Sequence, residues 1–385
     1  MSDWWRQWNP NEVTINSADV DDSWKICVMQ GVYFDSNQYN GHTGGRISAV
    51  FVVLVTSTLP TMFPLVCKAF PKLRIPEMFF MIARLFGSGV IVSTAFIHLL
   101  DPAYNAIGRQ SCVGTSGNWG LYRWCPAIML SAAVLTFIVD AYCDFFADIW
   151  YGIHDHAGLE HRYSPHPQES PHASIQEVVV DMEVPDEDDD EADKDEADKD
   201  EADKDQADKD DDNKVDSRTA DRIDYYSQFA GFLTLEFGVL FHSVMIGLDL
   251  GSSDQYSSLY IALVFHQAFE GLGIGARLVA IPFPPDRRWV PWLCCVAYGL
   301  TTPVSIAIGI GVRKTYQGNS FTALIVEGVL DAISAGILMY TGFVELLARD
   351  FIFNPRRTKS VWYLSLQLFV FLWGCGLMSL VGKWA

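Results

Sequence analysis

The chain has 385 residues, half of them apolar, and a formal net charge of −20. Twenty acidic residues against four lysines fall between Asp181 and Asp212, a local net of −16, so everything else carries only −4. The acidity belongs to one segment. What remains is too apolar, in stretches too long, for a soluble all-α protein with one core.

Residues 1–45 lack the basic start and short apolar run of a secretory signal peptide, because Trp4, Trp5 and Trp8 alternate with polar groups. They are expected to form an extracellular N-terminal segment. A bilayer core about 30 Å thick needs roughly 20 mainly apolar residues per helix. Eight segments meet that need: 46–67, 79–100, 126–150, 226–250, 257–281, 291–312, 321–347 and 360–382. Spans 1–3 thus fill 46–150 and spans 4–8 fill 225–385. The fold class is an all-α polytopic membrane protein. Pro60, Pro64, Pro303 and Gly247 interrupt spans, which is tolerated where neighbouring helices re-satisfy the freed backbone groups.

Basic residues set the orientation. Lys68, Lys72, Arg74, Arg287, Arg288, Arg349, Arg356, Arg357 and Lys359 follow spans 1, 5 and 7, whereas the opposite loops offer Arg109, Arg123, Arg313 and Lys314. Nine against four puts both termini outside and 151–224 in the cytosol. Cys27, Cys112 and Cys125 then fall outside. A Cys112–Cys125 bridge is one option, but three cysteines cannot all pair in one chain, so the pairing stays open.

The 151–224 loop has two parts. His154, His156, His161, His166 and His172 form a loose tract suited to weak, exchangeable metal binding in the cytosol. Four tandem pentapeptides follow over 191–210, three of them Glu-Ala-Asp-Lys-Asp. With high charge and few large apolar groups, the loop is expected to be a disordered spacer.

An ionisable residue at mid-bilayer costs about 2.5–3.5 kcal/mol on insertion scales and so needs a reason. Span 2 carries His98 and Asp101, three apart and hence on one helical face. Span 4 carries His242 and Asp249, two turns apart on one face, and span 5 carries His266 and Glu270 at i, i+4. Imidazole and carboxylate from two facing helices make a site that zinc, iron or manganese accepts. His98 with Asp101 also fits a plain hydrogen-bonded packing pair. An intramembrane metallohydrolase is disfavoured, because its His-Glu-x-x-His pattern would put Glu where Gln267 stands. No enzyme activity and no cofactor are expected.

At these residues the chain resembles the ZIP (Zrt-, Irt-like protein) family of metal-ion transporters. Leu235-Glu236 through His242-Ser243 to Gly247 looks like the plant and fungal version of the family's fourth helix, and Phe265-His266-Gln267-Ala-Phe-Glu270-Gly271 like its fifth-helix signature. Phe86 to Leu100, Thr301 to Gly309 and Ser334 to Leu347 are similar to helices two, six and seven. The resemblance implies an eight-helix bundle and a transport site at His242, Ser243, His266, Gln267 and Glu270. It implies zinc first and ferrous iron next as cargo, carried into the cytosol by an alternating-access, elevator-like motion. His98, Asp101, Asp249 and Glu345 are accessory or pathway candidates. Members with two bound metals place a carboxylate four residues after the first helix-four histidine, and here that position is Ile246. One principal metal is therefore expected. The expected setting is the plasma membrane, an organelle membrane being the alternative. Lipid and the divalent ion are the expected partners, with a homodimer compatible and no nucleic acid. A membrane metal sensor without net transport is the reading from another class.

Overall fold

The computed structural model describes residues 13–32, 41–70, 72, 74–150, 222, 225–252, 256–314, 318, 320–353 and 360–383. The five loop histidines and the acidic repeat lie outside the described residues. Among the described residues there is no strand, and eight helices are long and apolar enough to cross a membrane. A short helix α1 (Asp22–Met29) precedes them. The spans are α2 (Thr43–Ala69), α3 (Glu77–Ile107), α4 (Trp124–Phe146), α5 (Tyr225–Ser252), α6 (Tyr256–Ala280), α7 (Pro285–Val312), α8 (Phe321–Ile352) and α9 (Val361–Val381). Two compact units divide the chain: Met1–Asp144 with Ser227–Ala385, which holds everything described below, and Phe145–Tyr226.

Three boundaries depart from the sequence reading, each for a local reason. α2 begins before Arg46, which is fully buried rather than a flank. Its guanidinium donates to the Leu250 carbonyl at 2.6 Å and lies over the Tyr256 ring, so the charge caps the end of α5. α3 runs on to Ile107 through a π-helical stretch, Thr94–Leu100, where the Asp101 N–H donates to the Phe96 carbonyl five residues back. Pro102 follows at once and has no N–H to give, a position where a wider turn does least harm. α8 likewise passes from α-helix into a π-helical end, Thr341–Ile352, so Arg349 lies inside a helix and not in a loop.

The outermost helices are α4 and α9, with long apolar side chains such as Leu130, Phe137, Trp362 and Phe369 exposed for lipid. α3 and α6 are the most enclosed. They cross with no side chain between them: a Cβ on Gly87 would stand 2.1 Å from the Gly273 Cα. On its other flank α6 meets α2, where a Cβ on Gly275 would stand 2.0 Å from the Thr61 carbonyl oxygen. Small residues at these points replace a hydrophobic driving force, which lipid cannot supply between helices.

Cys27 of α1 is bonded to Cys112 in the α3–α4 connection, and the Cys112 N–H donates to the Gln30 side chain at 2.7 Å. The Cys112–Cys125 option does not occur. Cys125 is instead a buried thiol packed with Ala103, Ile107 and Ala332.

Candidate metal site

α5 and α6 bring His242 and His266 together, with ring centroids 5.2 Å apart. The glycine crossing presses α3 onto α6 and adds a third imidazole: His98 stands 4.9 Å from His266 and 6.5 Å from His242. One turn along α6 from His266 lies Glu270, with Oε2 3.3 Å from His266 Nε2 but not aligned for a hydrogen bond. All four side chains are at most 5% exposed. Such burial of an unsatisfied set is costly, so the free atoms carry information. His242 Nε2, both His266 ring nitrogens and Glu270 Oε1 have no hydrogen-bond partner.

The orienting contacts are as specific as the free atoms. His98 Nε2 lies 3.3 Å from the Met378 carbonyl of α9, which can only accept, so that nitrogen carries the proton and Nδ1 is left as a lone pair. The Tyr298 hydroxyl of α7 donates to Glu270 Oε2 at 3.4 Å. Gln267, one residue past His266, points elsewhere on the helix. Its amide donates to Ser57 of α2 and Thr302 of α7 at 3.1 and 2.9 Å. Gln267 therefore anchors α6 to its neighbours through its nitrogen and leaves its Oε1 free. Ser243 is buried beside His242. Among the described residues no three His, Cys, Asp or Glu side chains already stand as a finished metal cage. Three imidazoles and a carboxylate converge here, with their closure still to be made.

The accessory candidates separate. His98 joins the site. Asp101 does not: it is exposed and accepts from Asn105 at 3.3 Å. The reason is the π-helical stretch, whose wider turns destroy the i, i+3 alignment that an α-helix would give His98 and Asp101. Asp249 lies two turns from His242, about 10 Å along the helix, outside reach of the histidines. Glu345 belongs to a separate charged cluster. It accepts from Arg349 at 2.8 Å, and its backbone carbonyl accepts from Arg277 at 3.0 Å. Asp350 lies 3.5 Å from Arg84 and 3.8 Å from Arg277.

Two groups escaped the sequence reading. Glu236 has a buried, unpartnered Oε2 and interacts electrostatically with Glu270. It lies six residues before His242, a spacing that no single-face search selects. Tyr298 sits in a span with no acidic, basic or histidine residue beside it, so only the packed structure pairs it with Glu270.

The sequence model of the ZIP zinc transporter family matches residues 43–382. The chain is 53% identical to zinc-regulated transporter 1 of Saccharomyces cerevisiae, over 99% of this chain and 98% of that protein. It is 36% identical to zinc-regulated transporter 1 of Schizosaccharomyces pombe, over 91% and 88% of the two chains. Against Fe(2+) transport protein 1 of Oryza sativa the identity is 33%, over 88% and 84%. Match and architecture agree from the first span to the last: the chain belongs to the ZIP family.

Proposed function

We propose that this protein carries a divalent transition-metal ion, zinc first and ferrous iron second, across the plasma membrane into the cytosol. The carrying observation is the convergence of His98, His242, His266 and Glu270 from three helices, buried and with free lone pairs. Such a donor set suits borderline divalent metals. Named zinc and Fe(2+) transporters among its relatives support the class of cargo, and those relatives are transporters, not enzymes.

The ion enters from the side where both termini lie, loses water to the imidazoles and Glu270, and leaves after the helices rearrange to open the other side. The Cys27–Cys112 bond supports that orientation, since disulfides persist in oxidising compartments. A single principal ion is favoured because Ile246 packs with the apolar cluster around Ala49, Val53 and Leu250. His154, His156, His161, His166 and His172 would receive the released ion.

Radiotracer uptake into proteoliposomes, with zinc, ferrous iron and manganese in competition, tests the reading. Wild-type protein should accumulate zinc, and His266→Ala and Glu270→Ala should not. Normal uptake by both variants sinks the site, and saturable binding without accumulation in wild-type protein makes the chain a sensor.

A further inference from the structure

α5 and α8 are the fourth and seventh spans, so they run in opposite directions, and two close approaches fix their register. A Cβ on Gly238 would meet Leu338 Cδ2 at 3.0 Å, and a Cβ on Gly231 would meet Glu345 Oε2 at 2.9 Å. The pairs are each seven residues apart on both helices. Continuing the same faces toward the Ser252 end sets His242 level with Ser334, Met245 with Asp331, and Asp249 with Glu327. Three carboxylates thus gather along about one turn between α5 and α8, one to two turns from the level of His242.

Among the described residues no basic group acts on them. Asp331 is 4% exposed, and its Oδ1 has no hydrogen-bond partner. The charges acting on Asp331 are the two other carboxylates, Glu327 and Asp249. Glu327 and Asp249 also repel one another. Ser334, one turn from Asp331 toward the histidines, is fully buried with an unpartnered Oγ. Three acids with no cation among apolar helices are costly to bury. A divalent cation offsets that cost and finds Asp331 Oδ1 and Ser334 Oγ buried without partners.

We propose that Asp249, Glu327 and Asp331 form a second cation station, which takes a partly hydrated divalent metal ion and passes it beside Ser334 to His242. Oxygen donors hold such an ion more loosely than imidazoles and let it keep water, which suits a waiting place. The station lies on the side from which the ion is proposed to enter, so it rests on the transport reading above.

Zn2+ titration of the full chain in lipid nanodiscs tests it, together with uptake by proteoliposomes. Leaving aside ions held weakly by the loop histidines, wild-type protein should bind two. Asp331→Asn, and separately the double variant of Asp249→Asn with Glu327→Gln, should each bind one. The double variant of His266→Ala with Glu270→Ala should bind one and transport none. Asp331→Asn should raise the uptake KM about tenfold, the effect of one lost ligand contact, with kcat within about twofold. If both carboxylate variants bind as many ions as wild type with equal affinity and KM, the station is overturned. If instead the histidine variant keeps both ions and wild-type uptake, the central site fails, and a lost ion in the carboxylate variants would then still support the station.

Discussion

Two polar clusters, one sealed and one half-buried, occupy the same apolar bundle and differ in how their atoms are used. In the cluster around Arg84, Arg277, Glu345, Arg349 and Asp350, each charge faces an opposite one at 2.8 to 3.8 Å, and Arg349 also donates to Ser227 of α5. That cluster ties α3, α5, α6 and α8 together. In the histidine cluster Met378 holds His98 and Tyr298 holds Glu270, while His242 Nε2, both His266 ring nitrogens and Glu270 Oε1 are bare. A compensated cluster serves the fold, and a half-satisfied one waits for a ligand. Free atoms alone do not separate the two, since Arg84 Nε and Asp350 Oδ2 also lack a hydrogen-bond partner. What separates them is that the charged cluster is partly exposed and sets opposite charges face to face, while the histidine cluster is sealed.

The comparison is broken or sharpened by substitution. The largest effect is expected at Glu270: Glu270→Gln removes the one charge among the imidazoles and should reduce zinc uptake at least about 100-fold, with surface expression intact. Asp350→Asn should do the reverse, since it strands Arg84 and Arg277. An uncompensated buried charge costs at most about 3–5 kcal/mol, and less for the partly exposed Arg84, read as a lower melting temperature and yield, while the KM of the surviving protein stays at the wild-type value. Tyr298→Phe removes one orienting bond and should raise KM about tenfold, toward the low end for such supporting groups. Protons compete with the metal for the imidazole lone pairs, so uptake should fall as the medium is made strongly acidic. The smallest effect is expected from deleting 186–212, which should leave the maximal uptake rate unchanged; complete loss would make the acidic repeat more than a spacer.

The eight spans were legible because each is a long apolar run, and His242, His266 and Glu270 because a charge in such a run stands out. Spacing worked where the helix is regular, as for His266 and Glu270. It failed at Asp101, where a π-helical stretch changes the number of residues per turn. It also could not give the role of Gln267 or Glu345, since partners on other helices decide those: Ser57 and Thr302 for one, Arg277 and Arg349 for the other. The Cys27–Cys112 pairing was beyond counting for the same reason, as it joins segments 85 residues apart.

The Gly87–Gly273 crossing has a consequence in genetic terms. Glycine is the one residue without a Cβ, so every missense change in either codon adds a carbon to a seam where it would stand 2.1 Å or 2.6 Å from the facing Cα. No conservative allele exists at these two positions. Each variant must part α3 from α6 and draw His98 away from His266, so loss of metal transport through codon 87 or 273 needs no change in any residue that touches the ion.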